Sequence, residues 1–184
     1  LEDATVVERL KGAGAILAGS TRFAELGFGL AGDSTASAVS GGHADCALIT
    51  DIMGESRVAA SVAGLWALKP TYGIVSRLGL IGLVPSMECC GVAAKNPRDI
   101  ASVMKVIAGR DENDFSMPDM AVPDFRLDGE KGDTVETVTV VRECLELLTA
   151  EEIDLFRSGL SRLERAGFTL RETGMDDFGL FRSV

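Results

Sequence analysis

Serine and histidine side chains, which could provide a nucleophile and its base, lie close together early in the chain. Ser34, Ser37 and Ser40 recur at every third position and precede His43, the single histidine. A serine hydroxyl needs a positioned base to become a nucleophile. His43 follows two glycines, which favours a turn histidine over a catalyst. Small residues at this spacing favour helix packing for the serines, and the alternative is a proton-relay role.

Cysteine chemistry is the second candidate. The four cysteines are Cys46, Cys89, Cys90 and Cys144. None forms a C-x-x-C motif, and adjacent cysteines are poorly placed to pair with each other. With one histidine, the chain has too few soft ligands for a zinc site. We therefore predict reduced thiols, no metal, no cofactor and a cytoplasmic location.

The charge of the chain is concentrated at one end. Residues 1–110 carry equal numbers of acidic and basic side chains, so the whole net charge of −10 lies in residues 111–184. Neither part has the basic surface that nucleic-acid binding normally requires, which argues against direct nucleic-acid binding. No apolar run approaches the roughly 18 residues that span a bilayer, and the start has no basic, apolar leader. We expect neither membrane insertion nor export.

Helical and strand patterns alternate along the chain. The patterns predict a helix capped by Asp3, strands at 15–18, 46–50 and 65–68, and a helix over 97–108. Thr149 with Glu152 forms a capping box that predicts a second long helix, ended by Gly167 and followed by a strand. Residues 110–134 are polar and contain little periodicity. Strands alternating with helices indicate an α/β fold.

The most specific segment is L-K-P-T-Y-G-I-V-S-R at residues 68–77. It resembles the L-K-P-T-Y-G-R-V-S-R segment of the amidase signature family, most nearly the A subunits of tRNA-dependent amidotransferases. The flanks agree with this resemblance. Residues 3–15 resemble the family's D-A-x-V-V-x-R-L-x-x-A-G-A. Residues 79–81 and 85–87 lie within the stretch where it has G-L-V-A-F-A-S-S-L-D, and residues 96–109 resemble its final helix and I-A-G.

The resemblance implies a catalytic chemistry of known form. Members of the family hydrolyse amides with a Ser–Ser–Lys triad. The nucleophilic serine ends a D-T-G-G-S turn whose backbone N–H groups form the oxyanion hole, and a second serine in a G-G-S-S-G-G-S loop relays the proton to an upstream lysine. Glycines let these donors approach the developing oxyanion, and a lysine acts as a base only when it is desolvated.

Placing these motifs without gaps predicts that this chemistry is lost. Glu55 holds the nucleophile's place, Ala31 holds that of the relay serine, and the catalytic lysine falls before residue 1. We therefore predict no catalytic residues. Asp51, Gly54 and Arg57 match the family and, with Glu55, define a predicted vestigial pocket.

Glu55 and Lys69 have competing interpretations. Glu55 could be a new general base or nucleophile, or a tolerated carboxylate at a helix N-terminus, where the helix dipole favours it. We prefer the helix interpretation, because a carboxylate in an oxyanion pocket would repel an anionic transition state. Lys69 lies in the L-K-P-T-Y-G segment, where the family's lysine is structural, and we expect the same here.

The resemblance predicts an α/β fold, a truncated amidase-signature-like mixed sheet flanked by helices. We expect a core at 1–110, a linker or irregular excursion at 111–134, and an acidic strand–helix–strand continuation of the same domain at 135–184. The predicted function is that of a non-catalytic homologue acting by binding or scaffolding. The alternative is a divergent amidase or amidotransferase A-type subunit with replacement or partner-supplied residues. Self-association or a partner subunit is expected, because a shortened sheet leaves edges to cover.

Overall fold

The computed structural model describes residues 2–22, 35–125 and 136–181. The chain divides into two compact units, Leu1–Asp128 and Gly129–Val184. Helices and strands mix in both units, and the predicted α/β class is confirmed. Across the described ranges, no helix is both long and apolar enough to cross a membrane.

The first unit contains a three-stranded sheet with helices packed on it. Its elements are α1 Thr5–Gly12, α2 Thr35–Ser40, β1 Cys46–Asp51, α3 Glu55–Val62, β2 Trp66–Leu68, β3 Cys89–Ala94 and α4 Pro97–Ile107. The strand order is β1-β3-β2, and both outer strands run antiparallel to β3. The register pairs Asp51 with Cys89, which brings the end of β1 next to the start of β3.

Strand β3 is buried along its whole length, and its residues are small. Gly91 is required at its centre, because a Cβ there would lie 2.3 Å from the Leu68 carbonyl oxygen of β2. The main core packs α1 and α4 on this sheet through Val6, Val92 and Met104. Burying such side chains contributes about 1.5–3 kcal/mol each.

Polar contacts also connect α1 to the end of α4. Arg9 donates hydrogen bonds to the carbonyl oxygens of Ile107 at 2.7 Å and Gly109 at 3.0 Å. Asp111 accepts from the hydroxyls of Thr5 and Ser76, both at 2.7 Å. The bonds from Arg9 satisfy carbonyl groups that the C-terminus of a helix leaves open.

The second unit has a strand–helix–strand arrangement. Its elements are β4 Thr137–Val141, α5 Arg142–Leu145, α6 Ala150–Arg165, β5 Thr169–Thr173 and α7 Phe178–Phe181. Strands β4 and β5 are parallel, with Thr137 opposite Thr169. The predicted capping box of α6 is confirmed, since the Thr149 and Glu152 side chains each bond the other's backbone N–H.

Two local predictions are wrong. Residues 15–18 form no strand, because no described strand pairs with them, and Ile16 is 92% exposed. The N-cap of α1 is Ala4, which makes no side-chain capping bond. Asp3 instead forms an ion pair with Lys11.

Candidate functional site

The candidate site is the turn at residues 51–55, between the end of β1 and the start of α3. Asp51 is the last residue of β1 and is completely buried. Gly54 caps α3 with a φ of 122°, a conformation that favours glycine because it has no Cβ. The helix begins at Glu55, so the expected position of this carboxylate at a helix N-terminus is confirmed.

Asp51 and Arg57 form the frame of the turn. The Arg57 Nε and Nη2 atoms each lie 3.0 Å from an Asp51 carboxylate oxygen, and the Arg57 backbone N–H donates to the same carboxylate at 3.2 Å. This hydrogen bonding is the main cause of the raised pKa of Arg57. A bidentate ion pair of this kind fixes the relative orientation of the two side chains and also adds to the strength of their interaction.

Lys69 supports the turn from the other side. Its Nζ donates to the backbone carbonyl oxygens of Asp51 at 2.5 Å, Ile52 at 2.8 Å and Met87 at 2.7 Å. It also lies 3.8 Å from the Asp51 carboxylate. An ammonium group has three protons, and three carbonyls accept them here. These contacts agree with the structural role expected for Lys69.

The Glu55 side chain folds back over the turn. Its Oε1 accepts the Ile52 backbone N–H at 2.7 Å, and its Oε2 accepts the Met53 N–H at 2.9 Å. The residue is only 8% exposed. The two donors of the turn are therefore occupied by the protein's own carboxylate. The four residues of the predicted pocket, Asp51, Gly54, Glu55 and Arg57, do lie together.

A buried carboxylate beside this turn was missed by the sequence reasoning. Glu88 is 3% exposed and directly precedes β3. Burial raises its pKa, and the charge of Glu55 raises it further. A sequence signal was available, because Glu88 stands where the family's G-L-V-A-F-A-S-S-L-D segment has its final aspartate.

Neither cysteine beside the site has the character of a reactive thiol. Cys89 and Cys90 are both buried on β3. Burial raises the pKa of Cys90 to about 12 and also raises that of Cys89. Reactive cysteines need the opposite shift, because the thiolate is the nucleophile. Within the described ranges, no group of three or more histidine, cysteine or acidic side chains could hold a metal ion.

The remaining predicted candidates lie on α2, in the turn that follows it, or outside the described residues. Ala31 and Ser34 are outside the described residues. Ser37 and Ser40 lie on the exposed side of α2, whose buried side carries Thr35, Ala36 and Val39. His43 is exposed in the turn that follows this helix.

Comparison with known proteins gives consistent results. A profile of the family described as Amidase matches residues 34–181. The A subunit of glutamyl-tRNA(Gln) amidotransferase from Lactobacillus acidophilus is 32% identical over 94% of this chain, and that from Thermotoga maritima is 34% identical over 90%. The chain spans about two fifths of the length of these curated relatives, 41% and 39% respectively.

Solved structures show the same relationship. The crystal structure of the A subunit from Thermotoga maritima has a TM-score of 0.80 and 32% identity, and the match covers 95% of this chain and 44% of that one. Native peptide amidase from Stenotrophomonas maltophilia has a TM-score of 0.81 and 26% identity, covering 99% and 44%. With a family profile matching most of its length, this chain belongs to the amidase signature family.

Proposed function

We propose that this chain is a non-catalytic member of the amidase signature family, which acts by binding or as a scaffold. One observation carries the proposal. The Glu55 carboxylate accepts the N–H groups of Ile52 and Met53, and ungapped placement puts these residues within the family's D-T-G-G-S turn. Donors that would stabilise an oxyanion are thus already occupied by a negatively charged group. A second anion at the same place would be repelled rather than stabilised.

The contacts around the turn support a retained scaffold. Asp51, Arg57 and Lys69 form a connected set of bonds that holds the backbone of the turn. The Glu55 position lacks the hydroxyl that attacks an amide in the family, and its carboxylate is bound to the backbone instead. The proposed loss of the relay serine at Ala31 rests on sequence placement.

Amide turnover is the direct test. Purified protein, with Glu55→Gln and Glu8→Gln variants, is incubated with glutamine, asparagine and aryl amides, and ammonia or amine release is measured. We expect all three proteins to match the buffer background. Glu8 is an exposed residue of α1, which makes it a matched control. Turnover by the wild type and Glu8→Gln that disappears in Glu55→Gln would refute the proposal.

The second candidate is a divergent amidase or amidotransferase A-type subunit. It is favoured by the similarity to curated A subunits, one of which is 32% identical in sequence over 94% of this chain. Because the chain spans about two fifths of those relatives, catalytic groups could be supplied by other polypeptide segments or by a partner. Serine- and thiol-directed covalent probes, read by intact mass, separate the two candidates. An adduct abolished by substituting one serine or cysteine favours the enzyme, and absence of any adduct favours the scaffold.

The proposal includes a partner and a location. The curated relatives are named as subunits, which supports a second polypeptide, or a second copy of this chain, as the binding partner. The four cysteines are all free, and two of them are buried. Free thiols are usual in reducing compartments, which supports a cytoplasmic location.

A further inference from the structure

Residues 79–87 form an irregular segment beside the candidate site. The Pro85 carbonyl oxygen accepts a hydrogen bond from Arg77 and one from the Tyr72 hydroxyl, the latter at 3.1 Å. At the end of the segment, the Met87 carbonyl accepts from Lys69, which also binds the carbonyls of Asp51 and Ile52. Segment 79–87 and turn 51–55 therefore share one lysine.

Glu88 lies beneath this segment with half of its carboxylate unsatisfied. It accepts a hydrogen bond from the Leu83 backbone N–H, but its Oε2 is buried and has no hydrogen-bond partner. A Cβ at Gly82 would lie 2.0 Å from that oxygen, so only a glycine allows the carboxylate to occupy this position. A buried acceptor without a partner costs free energy, and a charged one costs more.

The charged groups around Glu88 offer it no partner for its free oxygen. Burial, the largest cause, and the like charge of Glu55 on α3 favour the neutral acid, whereas the Leu83 N–H bond, Arg77 and Lys69 favour the ionised form. The balance raises the pKa of Glu88. Both cations are engaged elsewhere, Lys69 on three carbonyls and Arg77 on Pro85 and over the Tyr72 ring at 4.9 Å. The Cys90 thiol on β3 also interacts with Glu88. Closure of the segment over Glu88 therefore favours the neutral carboxylic acid.

A cavity next to the carboxylate gives it an alternative position. The cavity has a volume of about 60 Å³, opens to solvent, and is lined by Arg77, Leu80, Gly82, Pro85 and Glu88. A carboxylate that turned into this space would gain water and come closer to the Arg77 side of the cavity. It would also give up its bond to Leu83, which helps to hold the segment in place.

We propose that Glu88 is a proton-controlled switch, which holds segment 79–87 closed beside turn 51–55 when neutral and releases it when ionised. The proton passes to solvent, and no covalent bond changes. The pKa of Glu88 is higher in the folded chain than in the unfolded chain. The segment is therefore fully closed at pH values below the unfolded pKa. That closure is lost as the pH rises through the folded pKa of Glu88. The switch does not depend on whether the site hydrolyses amides.

Hydrogen exchange of the Leu83 amide, corrected for the intrinsic exchange rate at each pH, tests the switch directly. In the wild type we expect protection of this amide to fall with rising pH, by up to about tenfold per pH unit where Glu88 ionises. Amides of α4 should show no parallel change. Glu88→Gln, which cannot ionise, should remove the pH dependence, and Glu8→Gln should retain it. Wild-type protection that follows α4 at every pH, or an unchanged profile in Glu88→Gln, would overturn the proposal.

A second measurement does not require the variant to fold. Carboxyl ¹³C resonances of the wild type report the titration of individual glutamates, and exposed Glu8 provides the internal reference. We expect the Glu88 midpoint to lie above that of Glu8. A Glu88 midpoint at or below the Glu8 value would exclude the switch.

Discussion

Glu55 is the residue whose side chain most changes what the turn can do. A serine at this position would leave the N–H groups of Ile52 and Met53 available to a ligand. The longer carboxylate reaches back and takes both at 2.7 and 2.9 Å. Each bond is charge-assisted, and such bonds are roughly twice as strong as neutral ones. One side chain therefore stabilises the turn and at the same time occupies two of its backbone N–H donors.

Removing this carboxylate should destabilise the first unit. We expect Glu55→Ala to lower the free energy of unfolding by about 2 kcal/mol, because two backbone donors lose their acceptor, one of them in a buried contact. Glu55→Gln keeps one amide oxygen as acceptor and should cost about half as much. Urea unfolding measures both, with exposed Glu8→Gln as the reference. If Glu55→Ala is as stable as Glu8→Gln, the carboxylate does not hold the turn.

At the scale of elements, α4 shows how a sequence pattern produces a packed helix. Asn96 caps it by accepting the Asp99 backbone N–H at 3.0 Å, and Pro97 begins it with a fixed φ and no unused donor. Ile100, Met104 and Ile107 recur at helical spacing and all face the core. The cap and the apolar face specify the same helix, so local signal and tertiary packing stabilise it together.

The cap of α4 can be tested against a serine within the same helix. We expect Asn96→Ala to cost about 1 kcal/mol of unfolding free energy, since the Asp99 N–H loses its acceptor. Ser102 lies on the exposed side of α4 and bonds back to the Arg98 carbonyl, so Ser102→Ala should be nearly neutral. Thermal and urea unfolding report both changes. Equal losses in the two variants would contradict a specific capping role.

Elements with strong local signals could be predicted from sequence, and β3 could not. The capping box at Thr149 and the apolar spacing in α4 are local patterns with clear geometry. Strand β3 is buried on both faces and built from Cys, Gly, Val and Ala, so it shows no alternation. The opposite error occurred at 15–18, where an apolar run predicted a strand that has no partner among the described strands.

In the candidate site, too, some features could be predicted from the sequence and others could not. Turn 51–55 was identified because the family resemblance fixed its place in the sequence. The backbone bonds of Glu55 are local, to N–H groups two and three residues earlier. The buried position of Glu88, by contrast, depends on how segment 79–87 folds beside the turn. That arrangement joins residues more than thirty positions apart, such as Glu55 and Glu88. Local sequence pattern carries no information on it.

At the scale of the whole molecule, the Asp111 carboxylate joins separate parts of the first unit. Asp111 accepts from Ser76 and Thr5, which belong to a loop and to α1. These two hydroxyls, in that order, are the main causes of its lowered pKa, and the Asn113 N–H adds to them. Both hydroxyls donate to the same oxygen, Oδ2, and their bonds are strongest when Asp111 is ionised. We therefore expect the contribution of these bonds to stability to depend on pH.

The dependence has a definite sign. Because the folded pKa of Asp111 lies below the unfolded value of about 3.9, its contribution is present above that value and is lost as the pH falls through the folded pKa. Asp111→Asn should therefore be less stable than the wild type at pH 7, and the difference should shrink towards pH 3. Urea midpoints at both pH values check this, with fully exposed Asp119→Asn as control. A difference that persists undiminished at pH 3 would rule out this linkage.

The strand order β1-β3-β2 has a consequence for synthesis of the chain. In the described structure β1 and β2 are each paired only with β3, which is the last of the three to leave the ribosome. A nascent chain that has not reached Ala94 therefore carries two strands without their partner. Such unpaired edges favour aggregation. Between the emergence of β1 and that of β3, we therefore expect the nascent chain to be prone to association through these unpaired strands.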